Sequence, residues 1–117
     1  MSQLQRLFIF NYVIGNLDLH DENYGFLYDA HTFEILCVSP CFDHNVTLAP
    51  DEDVLLRSSF IADRFEWIKT IACGSIGWHS DIAEKLRCLD LDPILGYLSE
   101  KQIEALNARI DVLLSFY

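Results

Sequence analysis

The chain has 117 residues, with 18 acidic against 8 basic side chains and a formal net charge of −10. No Lys/Arg cluster occurs, so it lacks the cationic footprint that direct binding to a nucleic-acid backbone requires; any nucleotide would be held by metal and local donors rather than by a basic field. A hydrophobic fraction of 51% with 13% aromatics excludes a disordered chain, and the size fits one domain, 1–117, with a packed core.

Residues 2–15 carry Leu4, Leu7, Phe8, Phe10, Val13 and Ile14 at spacings that predict a helix with a wide buried face, the first element of a segment 1–15. One Arg precedes the apolar run, Asn11 interrupts it and no small-residue cleavage site follows, so it reads as a helix rather than a secretory signal. No run approaches the ~18 apolar residues of a membrane span. The expectation is a cytoplasmic chain with no membrane association.

Gly15-Asn16 should end the helix and release the chain into a polar loop, Leu17 to Glu22. Tyr24 to Tyr28 and Phe33 to Val38 are β-prone and flank Asp29-Ala30-His31-Thr32, which predicts a β-hairpin with a four-residue turn. Phe26 and Phe42 read as core residues. A polar connector with Pro50 and Asp51-Glu52-Asp53 follows.

The remainder, 58–117, reads as helical. Over 58–73, Phe60, Ile61, Phe65, Ile68 and Ala72 define one face, with Asp63, Arg64 and Glu66 turned away, and Gly74-Ser75-Ile76-Gly77 is expected to break the helix. Ser80 is placed to cap a helix over 81–89, with Asp81 and Glu84 near its N-terminus. Asp92-Pro93 is read as an N-cap acid with proline at the first helical position. Ser99-Glu100-Lys101-Gln102 is a capping box opening a last helix to about Ser115. The whole is an α+β chain, mostly helical, with one β-hairpin.

The four cysteines, Cys37, Cys41, Cys73 and Cys88, lack the paired spacing of a structural zinc site and read as buried free thiols.

The segment from Asn11 to Asn45 concentrates acidic, amide and histidine side chains between apolar runs, and reads as a metal-phosphate site. Asp18 and Asn23 lie five positions apart in the polar loop, and Asp43 follows the hairpin at the end of Ser39-Pro40-Cys41-Phe42-Asp43. In phosphoryl transfer charge spreads over oxygens that divalent cations neutralise, while a carboxylate accepts the proton of the attacking hydroxyl. Asp18 is the candidate catalytic base, and Asn23 and Asp43 the candidate metal ligands, oxygen donors of the kind Mg²⁺ prefers. His20 is grouped with Asn23 and Asp43 as a cofactor-binding residue whose part is to fix the loop by hydrogen bonding. His44 and Asn45 could donate to phosphate or cap a turn.

This stretch resembles the HipA-like serine/threonine kinases, whose pattern is I-G-N-x-D-x-H-x-x-N-(F/Y)-G-F-L, a hairpin, then P-x-(F/Y)-D. Ile14, Gly15, Asn16, Asp18, His20, Asn23, Tyr24, Gly25, Phe26, Leu27, Pro40, Phe42 and Asp43 stand at matching positions, over about 35 residues. Leu19 and Glu22 depart from residues common in the family. The resemblance implies a kinase-like C-lobe with a catalytic loop in 16–45, Mg²⁺ and ATP as cofactors, a protein substrate and a bacterial toxin-antitoxin setting. These 117 residues hold no G-x-G-x-x-G, and Lys69, Lys85 and Lys101 all fall in late helical segments. A kinase needs a glycine-rich loop and an N-lobe lysine. The chain is therefore expected to be inactive alone and to pair with a separately encoded N-lobe or an antitoxin-like protein. Two alternatives stay open: a non-catalytic kinase-like interaction module, and a metal-dependent hydrolase using Asp18, His20, Asp43 and His44.

Overall fold

Helix α1, Ser2–Val13, is the strut on which the other elements are assembled. The structure, a computed structural model, describes residues 2–42, 44, 47–48 and 59–117. Leu7, Phe8, Ile9, Tyr12 and Val13 are buried along α1. Of these, Phe8, Ile9, Tyr12 and Val13 share one core cluster with Phe65, Ile68, Ala72 and Ile76 of α2, Ser59–Ile76. Helix α3, Ser80–Arg87, contributes Ala83, and α4, Glu100–Ser115, contributes Leu106, Ile110 and Leu113, completing one core cluster. Each large aliphatic side chain wholly buried there is worth ~1.5–3 kcal/mol of transfer free energy. The architecture is α+β and mostly helical, with one antiparallel hairpin.

Gly15 ends α1 as its sequence suggests, at φ +60, and the chain turns back there so that Asn16 N–H donates to Asn11 O at 2.9 Å. The turn is closed from outside by Arg109 of α4. Its Nε donates to Val13 O at 3.0 Å, placing a buried cation on the carbonyl end of α1, where the helix dipole favours positive charge.

The hairpin is shorter than its β-prone runs. β1 is Phe26–Tyr28 and β2 is Ile35–Val38, paired Phe26↔Val38, Leu27↔Cys37 and Tyr28↔Ile35 with a bulge after Leu27. Phe33 belongs to the turn rather than to a strand: it adopts φ 59 while Asp29 N–H donates to Glu34 O. Asp29 Oδ1 accepts from the N–H groups of His31 and Thr32, and those bonds lower its carboxyl pKa. The hairpin buries little of itself, and Phe26 and Phe42 are exposed instead of lying in the core.

Other boundaries also move. Helix α2 continues through Gly74 and Ser75 to Ile76, because burial of Cys73, Ser75 and Ile76 outweighs the ~1 kcal/mol helical cost of a glycine. The N-cap of α3 is His79, with no side-chain capping bond; Ser80 is the first helical residue, and the helix stops at Arg87. His79 is buried, with Nε2 lying 3.1 Å from Gln5 Oε1, and Asp81 pairs with Arg6 at 3.2 Å, so tertiary contacts to α1 set where α3 begins. Asp92–Tyr97 forms a 3₁₀ helix whose cap is Leu91 rather than Asp92. The Ser99–Gln102 capping box is present in full, with both reciprocal bonds. All four thiols are free, but only Cys73 is buried, and burial raises its pKa; Cys41 and Cys88 are exposed. Among the described residues no helix is long and apolar enough to cross a membrane.

Two glycines of opposite character test this packing. A Cβ on Gly15 would lie 2.8 Å from Arg109 Cζ at a positive φ, whereas one on Gly74 would meet nothing within 4 Å. Urea denaturation should show Gly15→Ala losing about 1–3 kcal/mol. Gly74→Ala should gain about 0.5–1 kcal/mol.

Candidate functional site

The loop after α1 is built on a line of asparagines. Asn11 sits one turn after Leu7 on the buried face of the helix, where its amide would be costly unless bonded. Its Nδ2 donates to Leu7 O at 2.8 Å, and its Oδ1 accepts from Asn16 Nδ2 at 2.7 Å. Asn16 Oδ1 in turn accepts from Asp18 N–H at 2.9 Å, and Asn23 Nδ2 donates to Asp18 O at 2.6 Å. Both backbone polar groups of Asp18 are thus held by asparagine side chains. Asn11 and Asn16 are 0% and 1% exposed, so the relay works inside the protein where bonds are strong and their loss is costly.

The relay also orients Asn23. An acceptor, Asp18 O, faces one end of its amide, so that end must be the nitrogen. Asn23 as a whole is only 6% exposed, and among the described residues no donor is bonded to its Oδ1. The backbone of Asn23 is fixed as well, its N–H donating to His20 O at 2.8 Å. His20 Nδ1 accepts from Glu22 N–H at 3.3 Å, which leaves the proton on Nε2. That Nε2 lies 4.0 Å from Asp18 Oδ1.

The Asp18 carboxylate is half-exposed, and its Oδ1 is 3.5 Å from Arg64 Nη1. Arg64 is therefore not turned away as the helical period suggests. It reaches back from α2 across the loop, with Cζ 4.6 Å from the centre of the Phe60 ring. Beside it is a groove of 440 Å³ lined by His20, Asp21, Glu22, Phe60, Arg64 and Trp67 together with Leu19.

Asp43, Asn45 and the acidic run 51–53 lie outside the described residues. The described residues around Asp43 follow α1. Pro40 and Cys41 share a groove with Arg6 and Phe10; the His44 ring meets Phe10 at 5.6 Å; and Leu48 N–H donates to Ile14 O at 2.6 Å. The chain on either side of Asp43 thus runs beside the helix whose end carries the loop. Among the described residues no group of three His, Cys, Asp or Glu side chains is arranged to hold a metal ion; the predicted ligand set consists of an asparagine and Asp43, so that finding does not reach it.

Asn11, Asn16, Arg64 and Arg109 were not assigned site roles from sequence. A signal existed for Asn11, which falls four residues after Leu7 in an otherwise apolar helical stripe, where a lone amide must find partners. Arg109 carried no comparable signal, because its partner lies 96 positions away.

Replacing Asn16 by Ala removes bonds to Asn11 and to Asp18 N–H and should cost about 2–4 kcal/mol, at ~1–3 kcal/mol per buried group left unbonded. Hydrogen exchange of the Asp18 amide should accelerate beyond the amount that global destabilisation accounts for. Unchanged stability would dismiss the relay. Comparison of the chain with protein-family models, curated proteins and solved structures finds no match.

Proposed function

We propose that loop 18–23 is the catalytic loop of a phosphoryl-transfer site, and that the chain is the C-lobe-like half of a HipA-like serine/threonine kinase. The observation that carries this reading is the bond from Asn23 Nδ2 to Asp18 O. It joins the two residues that the motif singles out, and it does so in a way that suits both roles. The carboxylate of Asp18 stays half-exposed, and the oxygen of Asn23 is directed away from its nitrogen's partner.

In this reading Asp18 orients the hydroxyl of a protein Ser or Thr and accepts its proton as the oxygen attacks the γ-phosphorus of ATP. The new O–P bond forms as the bond to the bridging oxygen breaks, and ADP leaves with the electron pair. Asn23 and Asp43 would hold Mg²⁺, an ion that prefers oxygen donors such as the amide Oδ1 and a carboxylate. When bound, the ion would neutralise charge on the phosphate oxygens. His20 holds the loop closed. The hydrolase alternative would spend His20 on a metal, but its Nδ1 is already an acceptor for Glu22 N–H.

These residues supply a base and metal ligands but not the glycine-rich loop and lysine that cradle ATP phosphates in kinases. In this reading that lobe is supplied from outside these 117 residues, and an antitoxin-like protein is the regulatory partner.

Mixing the chain with a lobe that carries a glycine-rich loop and lysine, in Mg-ATP, should give transfer of labelled phosphate to protein hydroxyls. Asp18→Ala should lower it by about 10²–10⁴-fold, the usual span for a general base. Transfer that persists in Asp18→Ala would reject Asp18 as base. Efficient transfer by the chain without the added lobe would reject the need for one.

A further inference from the structure

Asn16 and Asn23 fix the backbone of Asp18, but neither touches its carboxylate. A general base must aim an oxygen to within about 2.6–3.2 Å of the proton it takes. The half-exposed carboxylate of Asp18 can turn about χ1, so the backbone relay alone does not aim it.

Among the described residues, two side chains approach Asp18 Oδ1: Arg64 at 3.5 Å and His20 at 4.0 Å. Arg64 is the nearer, and a planar guanidinium fork is the side-chain group that matches carboxylate geometry. It is also the better anchored. Its side chain is only 18% exposed against 49% for Asp18, and its guanidinium lies over the Phe60 ring at 4.6 Å. A planar cation held on an aromatic face loses little further freedom when it engages a carboxylate. The His20 ring is committed through Nδ1 to Glu22 N–H, so it supports the loop more than it steers Asp18.

We propose that Arg64 is a positioning residue for the base: it holds Oδ1 and so presents the other carboxylate oxygen, Oδ2, to the substrate hydroxyl. This rests on the reading of Asp18 as base, and it adds a residue that the motif does not contain, contributed by a different helix. Phe60 belongs to the same device. Its ring is largely exposed, and what it contributes is a surface on which the guanidinium rests. The pair thereby links the direction of the Asp18 carboxylate to the first turns of α2.

The test is the χ1 distribution of Asp18 in the isotope-labelled full chain, read from three-bond N–Cγ and C′–Cγ couplings. Wild type should show one staggered rotamer. Arg64→Gln should average the couplings over two or more rotamers, Arg64→Lys should keep the wild-type preference in part, and Phe60→Ala should fall between wild type and Arg64→Gln. The melting temperature should stay within about 3 °C in Arg64→Gln, because a partly exposed ion pair adds little to global stability. The Asn23 side-chain amide resonances should not move, since that bond is independent of Arg64.

A single Asp18 rotamer retained in Arg64→Gln would overturn the proposal. So would a fall of more than about 10 °C with loss of the Asn23 amide signals, which would make Arg64 a structural support of the loop. These couplings are measured without substrate, so their outcome is separate from the phosphate-transfer test of Asp18→Ala.

Discussion

Burying amides inside an apolar helix interface obliges each of them to find a partner, and the rest of the site follows from how that obligation is met. Asn11 cannot be left unbonded where it lies at 0% exposure. Its own helix satisfies its nitrogen, and Asn16 can satisfy its oxygen only if the chain doubles back at once after α1. Gly15 provides that reversal at φ +60, and Arg109 closes over it. The loop that emerges inherits a fixed start, and Asn16 passes this constraint on to Asp18 and, through Asp18 O, to Asn23. Loop placement is thus set by buried hydrogen bonds rather than by contacts at the surface.

The same logic explains why so polar a segment can be ordered beside such a small core. Neutral amides bear both a donor and an acceptor, so they can be chained with every group satisfied and no charge buried. The charged groups of the site, Asp18 and Arg64, meet at the edge of the protein, where water reduces the cost of incomplete pairing. Among the described residues the one deeply buried charge, Arg109, is spent on the carbonyl end of α1.

Local signals in the sequence proved good guides where a few neighbouring residues settle the structure. The capping box at Ser99, the reversal at Gly15 and the hairpin around Asp29 are of this kind. They fail where tertiary contact outweighs local preference. Gly74 and Gly77 advertise a break, yet buried neighbours carry α2 through to Ile76. Ser80 advertises a cap, yet the bonds of His79 and Asp81 to α1 set the boundary. Arg64 falls outside the apolar stripe of its helix, and helical periodicity cannot foresee a guanidinium that bends back across a loop. In the site, the D-x-H-x-x-N spacing is legible, whereas Asn11 reads as an interruption and Asn16 as a cap and a motif position, with nothing local to reveal the bond between them.

The central claim is that the loop held by this relay presents a metal-binding oxygen beside a base. The most direct measurement is paramagnetic broadening by Mn²⁺, titrated into the isotope-labelled full chain in the presence of a non-hydrolysable ATP analogue. The account predicts that broadening begins at the amides around Asn23 and Asp43, at the same metal concentration, and that Asn23→Ala weakens it at both. Broadening centred on the acidic run 51–53, with 18–23 untouched, would contradict the account and leave the loop as a structural turn.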